Sequence, residues 1–160
     1  MSDNLATYLH DHLAGATAGL ELSEALRDQH ENEALGRFAA ELSGEIEFDR
    51  RTLEALAERV GAGGNPLKEA GAWLAEKVSR LKLGRAAAGE LGALEALEAL
   101  SLGIRGKQAL WDALAVIAPG DPRVSGLDYG DLSRRAQAQH ARVEEQRLNA
   151  ARTALRPAVE

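Results

Sequence analysis

Few residues in this chain combine a chemistry-bearing side chain with an inward position on a helix, and two of them fall opposite each other. His12 interrupts the apolar repeat Leu5, Leu9, Ala16, and Asp49 interrupts the repeat Leu42, Ile46, Leu53. Both repeats follow the 3.6-residue period of an amphipathic helix. His30 lies almost midway between the two residues, so a turn there makes an antiparallel hairpin that sets them at the same height. A buried carboxylate needs a partner, and an imidazole supplies a proton and a charge. The spacing therefore predicts that His12 and Asp49 touch. The pair is then either an internal polar clamp or part of a metal site.

Further polar side chains share inward faces. Glu45 lies one turn from Asp49. Glu98 and Arg105 share a face with Leu91, Leu102, Ala109 and Val116, and Gln139 shares one with Leu132, Ala136 and Val143, with His140 at its edge. The expected buried polar cluster is thus His12, Asp49, Glu45, Glu98, Arg105 and Gln139. Its metal-binding variant draws on His12, Glu45, Asp49, Glu98 and His140. The same stretch offers a second, strongly apolar face: Leu97, Leu100, Ile104, Trp111 and Leu114. If that face points inward, Glu98 and Arg105 turn to solvent, and the polar interior shrinks to His12, Asp49 and Gln139. Burying both faces needs another segment or a second copy, so a homo-oligomer, a dimer, is expected.

The elements that carry these residues are all helices. Apolar residues make up 45% of the 160, aromatic residues only 4%, and strong helix formers dominate while β-branched residues are scarce. Ser2 or Asp3 caps a first helix that runs to about residue 29, and a second follows from about 33 to 60. Gly61-Ala62-Gly63-Gly64 ends it, with a glycine where a C-terminal cap needs positive φ. Asn65-Pro66 opens a short helix to about residue 82, within a crossover segment spanning 61–89. A third long helix runs from about 90 to 117, Pro119-Gly120-Asp121-Pro122 breaks it, and a fourth starts at Asp128 or Asp131 and runs to about 155, ahead of a loose tail at 156–160. Short links make the first and second, and the third and fourth, helices antiparallel hairpins. The long crossover lets the second and third run parallel. One domain is expected over 1–160. Glycines are frequent inside these helices (Gly15, Gly19, Gly36, Gly44, Gly92, Gly103, Gly106). Each costs about 0.5–1 kcal/mol against Ala, so close helix approach is the expected reason for them.

Helix count, crossover and inward carboxylates resemble the ferritin-like superfamily of four-helix bundles. The tracts Tyr8-Leu9-His10-Asp11-His12-Leu13-Ala14-Gly15, Gly103-Ile104-Arg105-Gly106-Lys107 and Ala109-Leu110-Trp111 are similar to an uncharacterised bacterial family of small helical proteins with a degenerate di-metal site. Di-iron members of the superfamily take one Glu from each of two helices and Glu-x-x-His from the other two. This chain departs from that pattern. Three residues after Glu45 stands Phe48, three before His140 stands Gln137, and the first helix offers His12 in place of a Glu. His140 and Glu144 are spaced to chelate, but Glu144 turns off the stripe.

Other chemistries find no support. There is no Cys, hence no disulfide, thiolate site or thiol nucleophile. The glycine-rich turn lacks the Lys-Ser/Thr of a phosphate loop, and the serines have no recognisable nucleophile context. Trp73 and Trp111 read as packing or subunit-interface anchors, and His10 falls on the exposed side. Net charge is −6, concentrated in residues 1–60, where 5 basic face 13 acidic residues. That repels nucleic-acid backbones, and the Arg-rich last helix reads as a solvated face. No signal peptide or membrane span is legible, so a cytoplasmic chain is expected. The expectation is a non-enzymatic structural or interaction protein; the alternative that the resemblance implies is a metal-binding (iron or manganese) ferritin-like protein or oxidase with a non-standard site around His12 and Asp49. A third reading is a bundle that binds a small polar ligand.

Overall fold

The computed structural model describes residues 3–61 and 87–159. Four long helices account for most of them: α1 (Asn4–Gln29), α2 (Ala34–Val60), α3 (Gly89–Ile117) and α4 (Tyr129–Ala154), with a 3-10 turn at Pro122–Val124. No strand occurs among the described residues. The expected crossover helix, like Trp73, lies outside them.

Local chemistry sets the ends. Asp3 caps α1 by accepting from the Leu5 N–H at 3.0 Å, and Asp128 caps α4 by accepting from the Asp131 N–H at 2.9 Å. Gly61 closes α2 at φ 78°, its N–H donating back to the Ala57 and Glu58 carbonyls, as the glycine pattern required. The turn between α1 and α2 is tight. A Cβ on Gly36 would stand 2.1 Å from the His30 carbonyl oxygen, so only glycine fits there. His30 is buried beneath this turn, its Nε2–H donating to the Ala87 carbonyl at 2.7 Å and its Nδ1 lying 3.1 Å from Glu33 Oε2.

That link ties the end of α1 to the start of α3. Near the other end, Leu5 and Tyr8 of α1 flank Ala113, Leu114 and Ile117 of α3. The two helices are therefore antiparallel, and α3 runs parallel to α2. Helix α4 returns alongside α3, joined by Ser133–Asp112 near one end and Arg156–Glu90 at the other. Arg142–Glu45 joins it to α2, and the Arg59 guanidinium of α2 donates to the Ser125 and Pro122 carbonyls at the 3-10 turn that precedes it. The arrangement is compatible with a four-helix bundle. Among the described residues, no helix is long and apolar enough to cross a membrane.

Helix α3 presents its strongly apolar face to the core: Leu97, Leu100, Ile104, Trp111 and Leu114 are all buried. Its other apolar stripe is left outside, with Leu102 75% and Val116 80% exposed. In α1 the buried set is Leu9, His10, Leu13, Ala14, Leu22, Ser23 and Leu26, rotated from the expected stripe. Helix α1 is apolar on nearly every side, so its periodicity does not decide which face turns inward. His10 is consequently buried, contrary to the sequence reading, and His12 is only half-buried.

Candidate functional site

The buried centre of the molecule is a three-helix polar network around Asp49, which is 3% exposed. Lys107 of α3 extends its ammonium through the helix array to donate to Asp49 Oδ2 at 2.7 Å. It also donates to Gln139 Oε1 of α4 over a short hydrogen bond. The Gln139 Nε2–H then donates to the same Asp49 oxygen at 3.2 Å. Ammonium groups only donate and carboxylates only accept, so the orientation of the Gln139 amide is dictated by its neighbours. Arg135 of α4 approaches the other carboxylate oxygen, Oδ1, to 3.7 Å, too far for a hydrogen bond. Its guanidinium lies 4.5 Å above the Phe48 ring. Burial pulls the Lys107 ammonium below the usual lysine range, and the charge of Asp49 opposes that shift.

The expected His12–Asp49 contact is not made: no hydrogen bond joins the two residues, and Lys107 takes the place assigned to the imidazole. His12 packs edge-on against Tyr8, with ring centroids 4.6 Å apart. Burial lowers its pKa, and neighbouring Asp11 only partly offsets this. Of the expected polar cluster, Asp49 and Gln139 are buried together, while the rest disperse. Glu45 pairs with Arg142 at 2.7 Å along the α2–α4 seam. Glu98 is exposed and lies 3.8 Å from Arg147. Arg105 is exposed and donates to Gln108 Oε1 at 3.3 Å. The alternative face of α3 that sequence analysis offered is thus the inward one, with the consequences stated for Glu98 and Arg105.

The metal-ligand set likewise does not converge. His140 sits on the α3–α4 seam, its Nε2 3.0 Å from Ser101 Oγ and 3.7 Å from Glu144 Oε1, away from Asp49. No group of three His, Cys, Asp or Glu residues able to hold a metal ion occurs among the described residues. The donor set expected for iron or manganese does not fit this geometry. Nor is Ser101–His140–Glu144 a nucleophile with its base. The Glu144 carboxylate lies 3.2 Å from the Ser101 hydroxyl and faces the same ring nitrogen, Nε2, that the serine faces, rather than the far ring nitrogen that an orienting acid would hold.

Beside the Asp49 network, the seam between α1 and α3 opens into a cleft of about 390 Å3. Its floor is apolar, formed by Leu22, Ile46, Leu53, Leu100, Ile104 and Leu110. Small residues form its facing walls: Gly15, Ala16 and Gly19 on α1, and Ala99, Gly103 and Gly106 on α3. A Cβ added at any of the four glycines would meet nothing within 4 Å among the described residues. Close helix approach, the expected reason for these glycines, holds at Gly36 and fails here. The polar end of the cleft is lined by Asp11, His12, Asp49, Lys107 and Trp111. Two of these lining residues each carry a buried atom, Asp49 Oδ1 and Trp111 Nε1, that has no hydrogen-bond partner among the described residues. Trp111 itself is fully buried within the chain, 6.3 Å from the Tyr129 ring, which selects packing over the subunit-interface role.

Sequence reasoning missed Lys107, although a signal was there. Three residues after Ile104 and four before Trp111, it stands on the apolar stripe of α3. No protein family, curated protein or solved structure matches this chain.

Proposed function

We propose that this chain is a non-enzymatic binding protein that holds a small, largely apolar molecule in the α1–α3 cleft, with the Asp49–Lys107–Gln139 network at its polar end. The observation that carries this reading is the set of four glycines facing open space. Together they forgo about 2–4 kcal/mol of helix stability relative to alanine, without the close packing that would return it. A cleft kept open by glycine is one that is meant to be filled, and its volume lies within the usual range for ligand pockets, roughly 300–1,000 Å3. The parallel α2–α3 pair, joined through a long crossover, supports a ferritin-like connectivity for the scaffold. On this reading that scaffold serves binding rather than di-metal chemistry. The test is to replace Gly19 by Leu and screen both forms against apolar compounds by thermal shift. Compounds should raise the melting temperature of the unaltered protein and leave Gly19→Leu unmoved; equal shifts in both would refute the assignment.

Self-association is a second reading, favoured by the line of Leu91, Leu102 and Val116 along the outer face of α3. A second copy of this chain is the proposed occupant. Light scattering at micromolar concentration should give twice the 17.0 kDa chain mass, falling to one chain for Leu102→Glu.

A further inference from the structure

We infer that the cleft selects an apolar molecule whose uncharged head group both donates and accepts a hydrogen bond, an alcohol or a primary amide, and rejects the carboxylate of the same chain. This rests on the ligand-binding reading above and specifies its chemistry. The two unpartnered atoms define the head group. Asp49 Oδ1 is an acceptor lacking a donor, and the Trp111 indole N–H is a donor lacking an acceptor. Both residues line the cleft. Left unmet, each such group costs about 1–3 kcal/mol, and a hydroxyl or amide can meet both kinds of need.

Charge decides against an acid. Lys107 is the only Lys or Arg among the described residues lining the cleft, and its ammonium already faces Asp49 Oδ2 and Gln139 Oε1. Arg135, which does not line the cleft, faces Asp49 as well. An entering carboxylate would shed its water, find no unpaired cation, and meet the negative charges of Asp49 and, on the exposed rim, Asp11. The glycine and alanine walls accept any slender apolar body and add no charge.

The experiment titrates the protein at pH 8 with 1-decanol, decanamide, decanoate and 1-chlorodecane. Binding is followed by calorimetry on the unaltered chain and by Trp111 fluorescence in a Trp73→Phe background. Decanol and decanamide should bind, shift the indole emission, and exceed decanoate in affinity by at least about tenfold, with 1-chlorodecane also weaker than the alcohol. Gly19→Leu should abolish all of these signals. Decanoate binding as tightly as decanol, or 1-chlorodecane matching it, would overturn the head-group inference while leaving the cleft as a ligand site. Binding by none of the four probes would overturn the ligand-binding reading itself.

Discussion

Adding a methyl group at Gly19 or Gly103 is expected to stabilise this protein. The two residues lie on opposite walls of the cleft, and a Cβ at either meets nothing within 4 Å among the described residues. Gly→Ala therefore introduces no overlap and recovers the helix propensity that glycine forgoes, about 0.5–1 kcal/mol per site. For a chain of this size that raises the melting temperature by about 1–4 °C. Gly36 is the internal control. Its Cβ would lie 2.1 Å from the His30 carbonyl oxygen, backbone that can move only by opening the α1–α2 turn, so Gly36→Ala should lose about 1–3 kcal/mol. Urea denaturation followed by circular dichroism separates the three variants. If Gly19→Ala and Gly103→Ala destabilise as Gly36→Ala does, the helices approach closely at those positions in solution, and the reasoning that glycine keeps the cleft open is wrong.

Replacing Lys107 by Met should cost about 3–5 kcal/mol, because it strands the Asp49 carboxylate in the core. Asp49→Ala should cost a similar amount. The double variant should lose clearly less than the two single losses combined, a coupling of at least about 1 kcal/mol in a double-mutant cycle; simple additivity would mean that the buried pair does not form. Burial holds the His12 pKa below its ordinary 6.5, so the unfolded chain takes up that proton first. The resulting stability loss is absent above pH 6.5 and grows as pH falls from there toward the lowered folded-state value. Denaturation midpoints of His12→Gln should fall less between pH 7 and pH 5 than those of the unaltered protein, and parallel curves would place His12 in water. Glu47, held at a pKa of about 2 by Arg50 and Arg51, contributes stability that persists above pH 4.5 and is lost only as pH drops toward 2. An Arg50→Gln/Arg51→Gln variant should therefore show a smaller acid-induced loss over that window.

Fold class was legible because the signals are local. Caps at Asp3 and Asp128, the Gly61 stop, the prolines after Ile117 and the 3.6-residue repeats act within a few residues. They place the four helices to within a residue or two. The buried position of Asp49 was legible too, because α2 has one clear apolar stripe. The partner of Asp49 was not legible: α1 is apolar on nearly every side and α3 carries two apolar faces, so periodicity leaves their rotation open.

Rotation is set by packing between helices. Burying Leu97, Leu100, Ile104, Trp111 and Leu114 removes more apolar surface from water than the competing face of α3 would, because that face also carries Glu98 and Arg105. That choice swings Lys107 inward, and a buried ammonium must find a buried carboxylate. The sequence alone determined that Asp49 would need a partner. Only the tertiary structure decided that the partner is Lys107 and that His12 instead borders a cleft. The glycines that seemed placed for contact hold that cleft open, because whether a missing side chain brings two helices together or leaves room between them depends on what stands on the other side.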